Sequence, residues 1–169
     1  MRSADLLLDH FDRIGELGAS VVEGLTADRL NTRLQDSANS IAWLVWHAAR
    51  VQDDHVADVA GREQLWTANG WADRFHLPLE PGDIGYGHSP EQVAAVRVSD
   101  PSLLTGYLDD VVAATRSYVE TLSDDDLDRV VDERWDPPVT LGVRLVSVVG
   151  DDLQHLGQAA FVRGLLRSS

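Results

Sequence analysis

Apolar residues recur with helical spacing in four long stretches of the chain, residues 3–24, 40–60, 100–122 and 140–164. Side chains three, four and seven positions apart share one face of an α-helix, so each stretch predicts a helix with an apolar side. The alternation of apolar and polar residues that is typical of strands is scarce, and no run indicates a substantial sheet. The pattern therefore predicts an all-α fold, a four-helix bundle.

Residues that start and stop helices stand at the ends of these stretches. Ser3 and Ser40 are predicted N-caps, because a serine hydroxyl accepts a hydrogen bond from a free backbone N–H of the first turn. Asp100 followed by Pro101 marks another helix start, since proline suits the first helical position. Gly61 predicts the end of the second helix.

The four predicted helices are joined by connections of unequal length. The two shorter ones share the pattern Glu-x-Leu-Thr/Ser-x-Asp-x-Leu, in residues 23–30 and 120–127. In each, a long helix is expected to end and a Ser or Thr to cap a short one. An internal duplication of helix pairs explains this pattern, and so does independent use of the same capping residues.

The middle connection, residues 61–99, is long and rich in aromatic residues, among them Trp66, Trp71, Phe75 and Tyr86. Long connections within a compact domain are usually functional or disordered. The aromatic content favours a crossover that packs against the helices, because disordered segments are poor in such residues. We expect it to form part of a pocket wall.

Polar residues interrupt two of the apolar helices. Asp151 and His155 lie four positions apart, so their side chains project from one face of the fourth helix, with Gln158 following. His47 interrupts the second helix. Because buried polar groups need partners, we expect His47, Asp151 and His155 to converge on one divalent metal. Asp152 also faces His155 at helical spacing, and His47 could instead be a core histidine bonded to a backbone carbonyl.

Two other histidines have weaker claims to a functional role. His55 follows His47 by eight residues and could line the same cavity, although a position at its rim or a structural role is expected. His88 belongs to the turn Gly85-Tyr86-Gly87-His88 and is expected to be a turn residue.

The composition of the chain limits the number of domains, the partners and the chemistry that can be expected. A chain of 169 residues suits one domain, predicted here as residues 1–169. The net charge of −14 argues against a nucleic-acid partner, since such proteins display basic surfaces. There is no cysteine, so any thiol chemistry needs an external thiol. No signal-peptide pattern or apolar run of about 20 residues is present, so we expect a soluble, cytoplasmic protein without membrane contact.

The chain resembles the DinB superfamily. The residues that carry the resemblance are Trp43-x-x-x-His47 on the second helix and His155-x-Gly157-Gln158 on the fourth, together with four helices and a long middle crossover. The resemblance extends to the actinobacterial branch that includes mycothiol-dependent maleylpyruvate isomerase and related uncharacterised proteins. That branch has Glu-x-x-x-His on the fourth helix, where this chain has the shorter Asp151.

The resemblance implies a DinB-like bundle that holds zinc or nickel through one ligand from the second helix and two from the fourth. It also implies mycothiol as co-substrate of an S-transferase or isomerase, and a homodimer. Three protein ligands leave a coordination position open for water or substrate, which is typical of catalytic sites. Two alternatives remain: a metal-dependent hydrolase, and a non-catalytic metal-binding bundle related to stress. The sequence does not specify the substrate.

Overall fold

The computed structural model describes residues 1–167 and consists mainly of four long helices. Helices and strands are numbered in chain order. They are α1 (Ser3–Val22), α2 (Ala27–Leu30), α3 (Ile41–Ala60), α4 (Leu65–Ala68), α5 (Trp71–Phe75), α6 (Pro90–Ala95), α7 (Pro101–Glu120), a 3₁₀ turn (Asp125–Asp128), β1 (Val130–Asp132), β2 (Val139–Thr140) and α8 (Leu141–Arg167). The all-α, DinB-like bundle predicted from the sequence is confirmed. The last two residues of the predicted domain 1–169 lie outside the described residues.

The helices begin and end close to the positions that the capping residues predicted. The Ser40 side chain accepts a hydrogen bond from the Trp43 N–H, and the Asp100 side chain accepts one from the Ser102 N–H. Gly61 ends α3 in the left-handed conformation, at φ 65°. The α1 start differs by one position, because Arg2 is the N-cap and Ser3 is the first helical residue.

A small hairpin precedes α8. Strands β1 and β2 pair antiparallel, with Val130 opposite Thr140. Strands this short show no alternating pattern, which is why the sequence did not predict them. The hairpin lies at the start of α8 and so adds a wall at that end of the bundle.

The core forms where α3 packs on α8 and α1 packs on α7. Helix α3 is buried around most of its circumference from Ile41 to Asp53, because the crossover covers the side that the other long helices leave open. Trp66, Trp71 and Phe75 of the crossover are buried and pack their rings around Tyr107 of α7. The expectation of a packed crossover is confirmed by these contacts. In the part of the chain described, no helix is both long and apolar enough to cross a membrane.

Candidate metal centre

Three side chains from two helices meet between α3 and α8. His47 comes from α3, and Asp151 and His155 come from successive turns of α8. One potential ligand atom from each residue lies within 4.8 Å of the others. His47 is almost fully buried, whereas Asp151 and His155 are partly exposed, so the cluster can be reached from solvent on the α8 side.

His47 is oriented by the crossover. Its Nδ1 lies 2.5 Å from the carbonyl oxygen of Ile84, so the Nδ1–H donates to the backbone and the lone pair of Nε2 is left available. That Nε2 atom is 3.9 Å from Oδ2 of Asp151. Burial lowers the pKa of His47, which keeps the imidazole in the neutral form that binds metals.

His155 and Asp151 form the second part of the cluster. Nδ1 of His155 donates to the Asp151 backbone carbonyl at 2.9 Å and is 3.3 Å from Oδ2 of the same residue. The Asp151 carboxylate raises the pKa of His155 above its ordinary value. Burial alone would raise the pKa of Asp151, but the neighbouring imidazoles of His155 and His47 outweigh it and lower that pKa. Without a metal, each of the two residues therefore favours the charged form of the other.

The donor set fits a divalent metal. Oδ2 of Asp151 is buried and has no partner in hydrogen-bond geometry among residues 1–167. Both imidazoles bind a backbone carbonyl through Nδ1, which is how metal-ligating histidines are commonly oriented. Two nitrogens and one carboxylate oxygen suit zinc or nickel. The geometry therefore brings together the three predicted residues; metal binding by them remains a prediction.

Aromatic and polar residues of the crossover hold this arrangement. The Trp43 ring stacks on the His47 ring, with 4.5 Å between centroids, and its Nε1–H donates to Nδ1 of His88 at 3.1 Å. The same His88 donates from Nε2 to Oδ1 of Asp83 at 2.9 Å. His88 is thus more than the turn residue predicted, because it links the crossover to the residue stacked on His47.

A buried network of charged side chains on α3 also holds the crossover in place. Arg50 of α3 is fully buried, donates from Nε to the Asp83 carbonyl oxygen at 3.2 Å, and donates from Nη1 to the Tyr107 hydroxyl. Asp53 accepts hydrogen bonds from the Tyr107 hydroxyl and from the Trp66 N–H. Sequence reasoning missed this network. Its signal was the presence of two charged residues, Arg50 and Asp53, midway along the second predicted helix.

The remaining candidates lie away from the cluster. Asp152, the alternative ligand, is completely buried on the core side of α8, and neither of its carboxylate oxygens has a hydrogen-bond partner within the described range. Gln158 is exposed and lines a separate groove beside Phe161. It therefore does not join the cluster of Asp151 and His155. His55 lies at the rim, where its Nδ1 accepts from Arg144 Nη1 at 3.1 Å.

A polar cavity of about 860 Å³ adjoins the rim residue His55. It is walled by crossover residues 62–64 and 81–82, by hairpin residues 131–134, and by Arg144 of α8. The crossover therefore forms part of the wall of this cavity. The cavity is not the pocket predicted in front of the three metal ligands, because none of His47, Asp151 and His155 lines it. The cavity lies along the α3–α8 groove from the His47 cluster, about two helical turns away.

The architecture and the cluster define the class of protein: a DinB-like four-helix bundle with a candidate metal centre between its second and fourth long helices. The chain belongs to the mycothiol S-transferase family, whose model matches residues 6–168. It is also similar to a solved structure described as the conserved protein of locus from Enterococcus faecalis, with 34% identity and a TM-score of 0.93 over 100% of this chain and 99% of that chain. No curated protein matches the chain.

Proposed function

We propose that the protein is a divalent-metal-dependent enzyme that uses mycothiol as the thiol in an S-transfer reaction, or in an isomerisation through the same thiol. The observation that carries the proposal is the convergence of His47, Asp151 and His155 in a member of the mycothiol S-transferase family. We further propose that these residues hold zinc or nickel.

The chain supplies the binding site, the external thiol is the nucleophile, and a bound metal would activate that thiol. A divalent metal held by these ligands would lower the pKa of a coordinated thiol, so that the sulfur reacts near neutral pH. In the transfer, sulfur bonds to an electrophilic carbon, the leaving group departs with its bonding electrons, and the thiol proton passes to solvent. Trp43 excludes water from one side of His47, and the Ile84 carbonyl keeps Nε2 directed at the cluster.

The test is thiol-dependent turnover by metal-loaded protein. Purified protein, with its metal content measured, is mixed with mycothiol and a bromobimane electrophile, and bromide release is followed. We expect turnover that requires both thiol and metal and that stops on chelation. His47→Ala is expected to lose most of the metal and the activity, while the bundle persists because its core is aliphatic and aromatic.

His10→Ala is the matched control, because His10 is an exposed histidine of α1 outside the cluster. It is expected to keep wild-type metal content and rate. Wild-type metal stoichiometry and affinity in His47→Ala would overturn the ligand set. Ester hydrolysis that needs metal but no thiol would favour the hydrolase, and protein without bound metal or turnover would favour the non-catalytic bundle.

We also propose a homodimer, formed through the outer face of α8. From Val143 to Phe161, the exposed positions of this helix carry no charged side chain, and Val143, Val146, Leu153 and Phe161 are exposed apolar residues. In a protein of net charge −14, copies repel each other least across an uncharged face. The partner that we propose for this face is therefore a second copy of the chain.

A further inference from the structure

We propose that a groove beside the candidate metal centre binds the apolar, uncharged part of the electrophile that accepts the sulfur. The groove has a volume of about 420 Å³. It is walled by residues of the loop between α2 and α3, by Leu44 of α3, and by Gln158, Phe161 and Val162 of α8; we call it the electrophile groove. The proposal rests on the function proposed above, because it needs a thiol activated at the His47 cluster.

The electrophile groove adjoins the cluster along both helices. Gln158 follows His155 by three residues and Leu44 precedes His47 by three, so each lies one helical turn from a predicted metal ligand. Side chains at this spacing have Cβ atoms about 5–6 Å apart. Asp151 and His155 are partly exposed and Gln158 is exposed, on successive turns of one side of α8. The groove and the cluster therefore open on the same surface, and a small ligand in the groove can place a reactive carbon beside a thiol at the cluster.

The lining of the electrophile groove is uncharged. No charged side chain of residues 1–167 lines it, although the chain has a net charge of −14. Five of its eight lining residues are apolar, and the other three are the amides Gln35, Asn39 and Gln158. The cavity beside His55 is different, because charged side chains make up much of its wall. Small-molecule sites commonly combine a mostly apolar wall with a few polar groups, as this groove does.

This lining selects an uncharged ligand with an apolar surface. An ionised ligand would lose water in the groove without meeting an opposite charge, which is costly. Phe161 lines the groove and is 68% exposed, so its ring is available to pack against a planar ring of the ligand. Each amide both donates and accepts hydrogen bonds and can bind a carbonyl or nitro oxygen. The class of ligand is thus an apolar carbon electrophile without an ionised group.

The first test measures binding without reaction. The probe is tetramethylbimane, which has the ring system of bromobimane with hydrogen in place of bromine, and its fluorescence anisotropy is titrated with protein. We expect saturable binding to the wild type, with a Kd below about 1 mM. Leu34→Asp puts a carboxylate at an exposed apolar position of the groove and is expected to weaken binding at least about fivefold.

Leu6→Asp is the matched control for this variant. Leu6 is also an exposed leucine, and it lines a separate apolar groove between α1 and α8. The same change of charge there is expected to leave the affinity for tetramethylbimane at the wild-type value. A loss in Leu6→Asp equal to that in Leu34→Asp would show that the probe binds apolar surface without preference for the electrophile groove, which overturns the assignment.

The second test measures charge selectivity during turnover with mycothiol. The kcat/KM for bromobimane, which is uncharged, is compared with that for its trimethylammonio derivative, which is a cation. Leu34→Asp is expected to shift this ratio at least about tenfold towards the cation, because the new carboxylate attracts it. A change that only weakened the fold would lower both rates together, so an unchanged ratio contradicts the assignment. Phe161 is left unchanged, because it also belongs to the face proposed for the homodimer.

A near-isosteric variant decides the matter if circular dichroism shows that Leu34→Asp does not fold. Gln35→Glu places a charge in the lining with almost no change of shape and is expected to weaken tetramethylbimane several-fold. Gln154→Glu is its control, because Gln154 is an exposed amide of α8 that does not line the groove. It is expected to bind the probe like the wild type.

The outcomes distinguish this inference from the proposed function. Wild-type affinity for tetramethylbimane in the folded groove variants, or no binding by the wild type, overturns the groove assignment even where thiol turnover is observed. Binding that the groove variants weaken, in a protein that turns over no thiol, supports the groove as a binding site and overturns the proposed function. Thiol turnover with the predicted shift of selectivity supports both.

Discussion

Asp151 and Asp152 are neighbours in sequence and occupy opposite environments. The sequence could not separate them, because residues three and four positions from His155 both face it. The packing of α8 against α1 and α3 sets the rotation of the helix and sends Asp152 into the core. Tertiary packing thus determines which of two neighbouring residues faces the cluster, and the periodicity of one helix carries no information about that packing.

Asp152→Asn is expected to stabilise the fold at neutral pH. Burial raises the pKa of Asp152 well above its ordinary value, and the nearby charge of Asp151 adds to this. The folded state therefore holds a proton that the unfolded chain releases, so the contribution of Asp152 to stability is present at low pH and lost as pH rises. Urea unfolding at pH 8 should show a gain of about 1–3 kcal/mol for Asp152→Asn.

The gain should shrink as the pH approaches 4, where the unfolded chain also keeps the proton. Asp36→Asn, at an exposed loop position, is the control and should change stability little at either pH. A loss of stability in Asp152→Asn at pH 8 would show that the Asp152 carboxyl is held in its ionised form by an interaction specific to it.

Metal affinity is expected to rise with pH. The Asp151 carboxylate raises the pKa of His155, so this imidazole carries a proton that a metal must displace. Below that raised pKa, each bound metal ion releases this proton and the affinity falls; above it, the competition disappears. Competitive zinc titrations from pH 6 to 8.5, in buffers with different ionisation enthalpies, measure both the affinity and the released proton. An affinity independent of pH across this range contradicts the role of His155.

At the scale of elements, the crossover determines how His47 is presented. Its aromatic residues predicted that it packs, but its contacts with α3 could not be predicted, because Arg50 and Asp83 are 33 residues apart in sequence. The Ile84 carbonyl that orients His47 is a backbone atom, which no side-chain motif reveals. The composition of the crossover thus predicts that it packs on the bundle, whereas the orientation of the His47 side chain depends on contacts between residues far apart in sequence.

Gly85→Ala is expected to weaken metal binding at least about tenfold. A Cβ at Gly85 would lie 2.7 Å from His47 Nδ1 and 3.0 Å from the Trp46 ring, so the segment that holds His47 must move. Gly87→Ala is the matched control, because Gly87 also has a positive φ, at 70°, but a Cβ there meets no atom within 4 Å. Both changes cost about 1 kcal/mol for the left-handed backbone, and only Gly85→Ala displaces His47. Equal zinc affinities in the two variants would contradict the orienting role of the crossover.

At the scale of the whole molecule, the architecture could be predicted because four strongly periodic helices account for most of the core. The convergence of the three side chains between α3 and α8 was expected from the polar residues within two apolar helices and from the resemblance, because periodicity alone does not tell which helices pack together. The short hairpin and the cavity that it helps to enclose were not predicted. Both depend on three-residue and two-residue strands that are too short to produce a pattern.

The homodimer is tested by sedimentation velocity at about 10 μM, a concentration at which a specific interface of standard size is populated. We expect the wild type to sediment as a dimer and Phe161→Asp as a monomer, because a carboxylate on each copy places two like charges in an apolar contact. Trp135→Asp is the control, since Trp135 is 65% exposed but belongs to the hairpin loop and not to the outer face of α8. It should remain dimeric. A monomeric wild type defeats the proposal, and a dimer that Trp135→Asp disrupts and Phe161→Asp does not would move the interface to the hairpin end of the bundle.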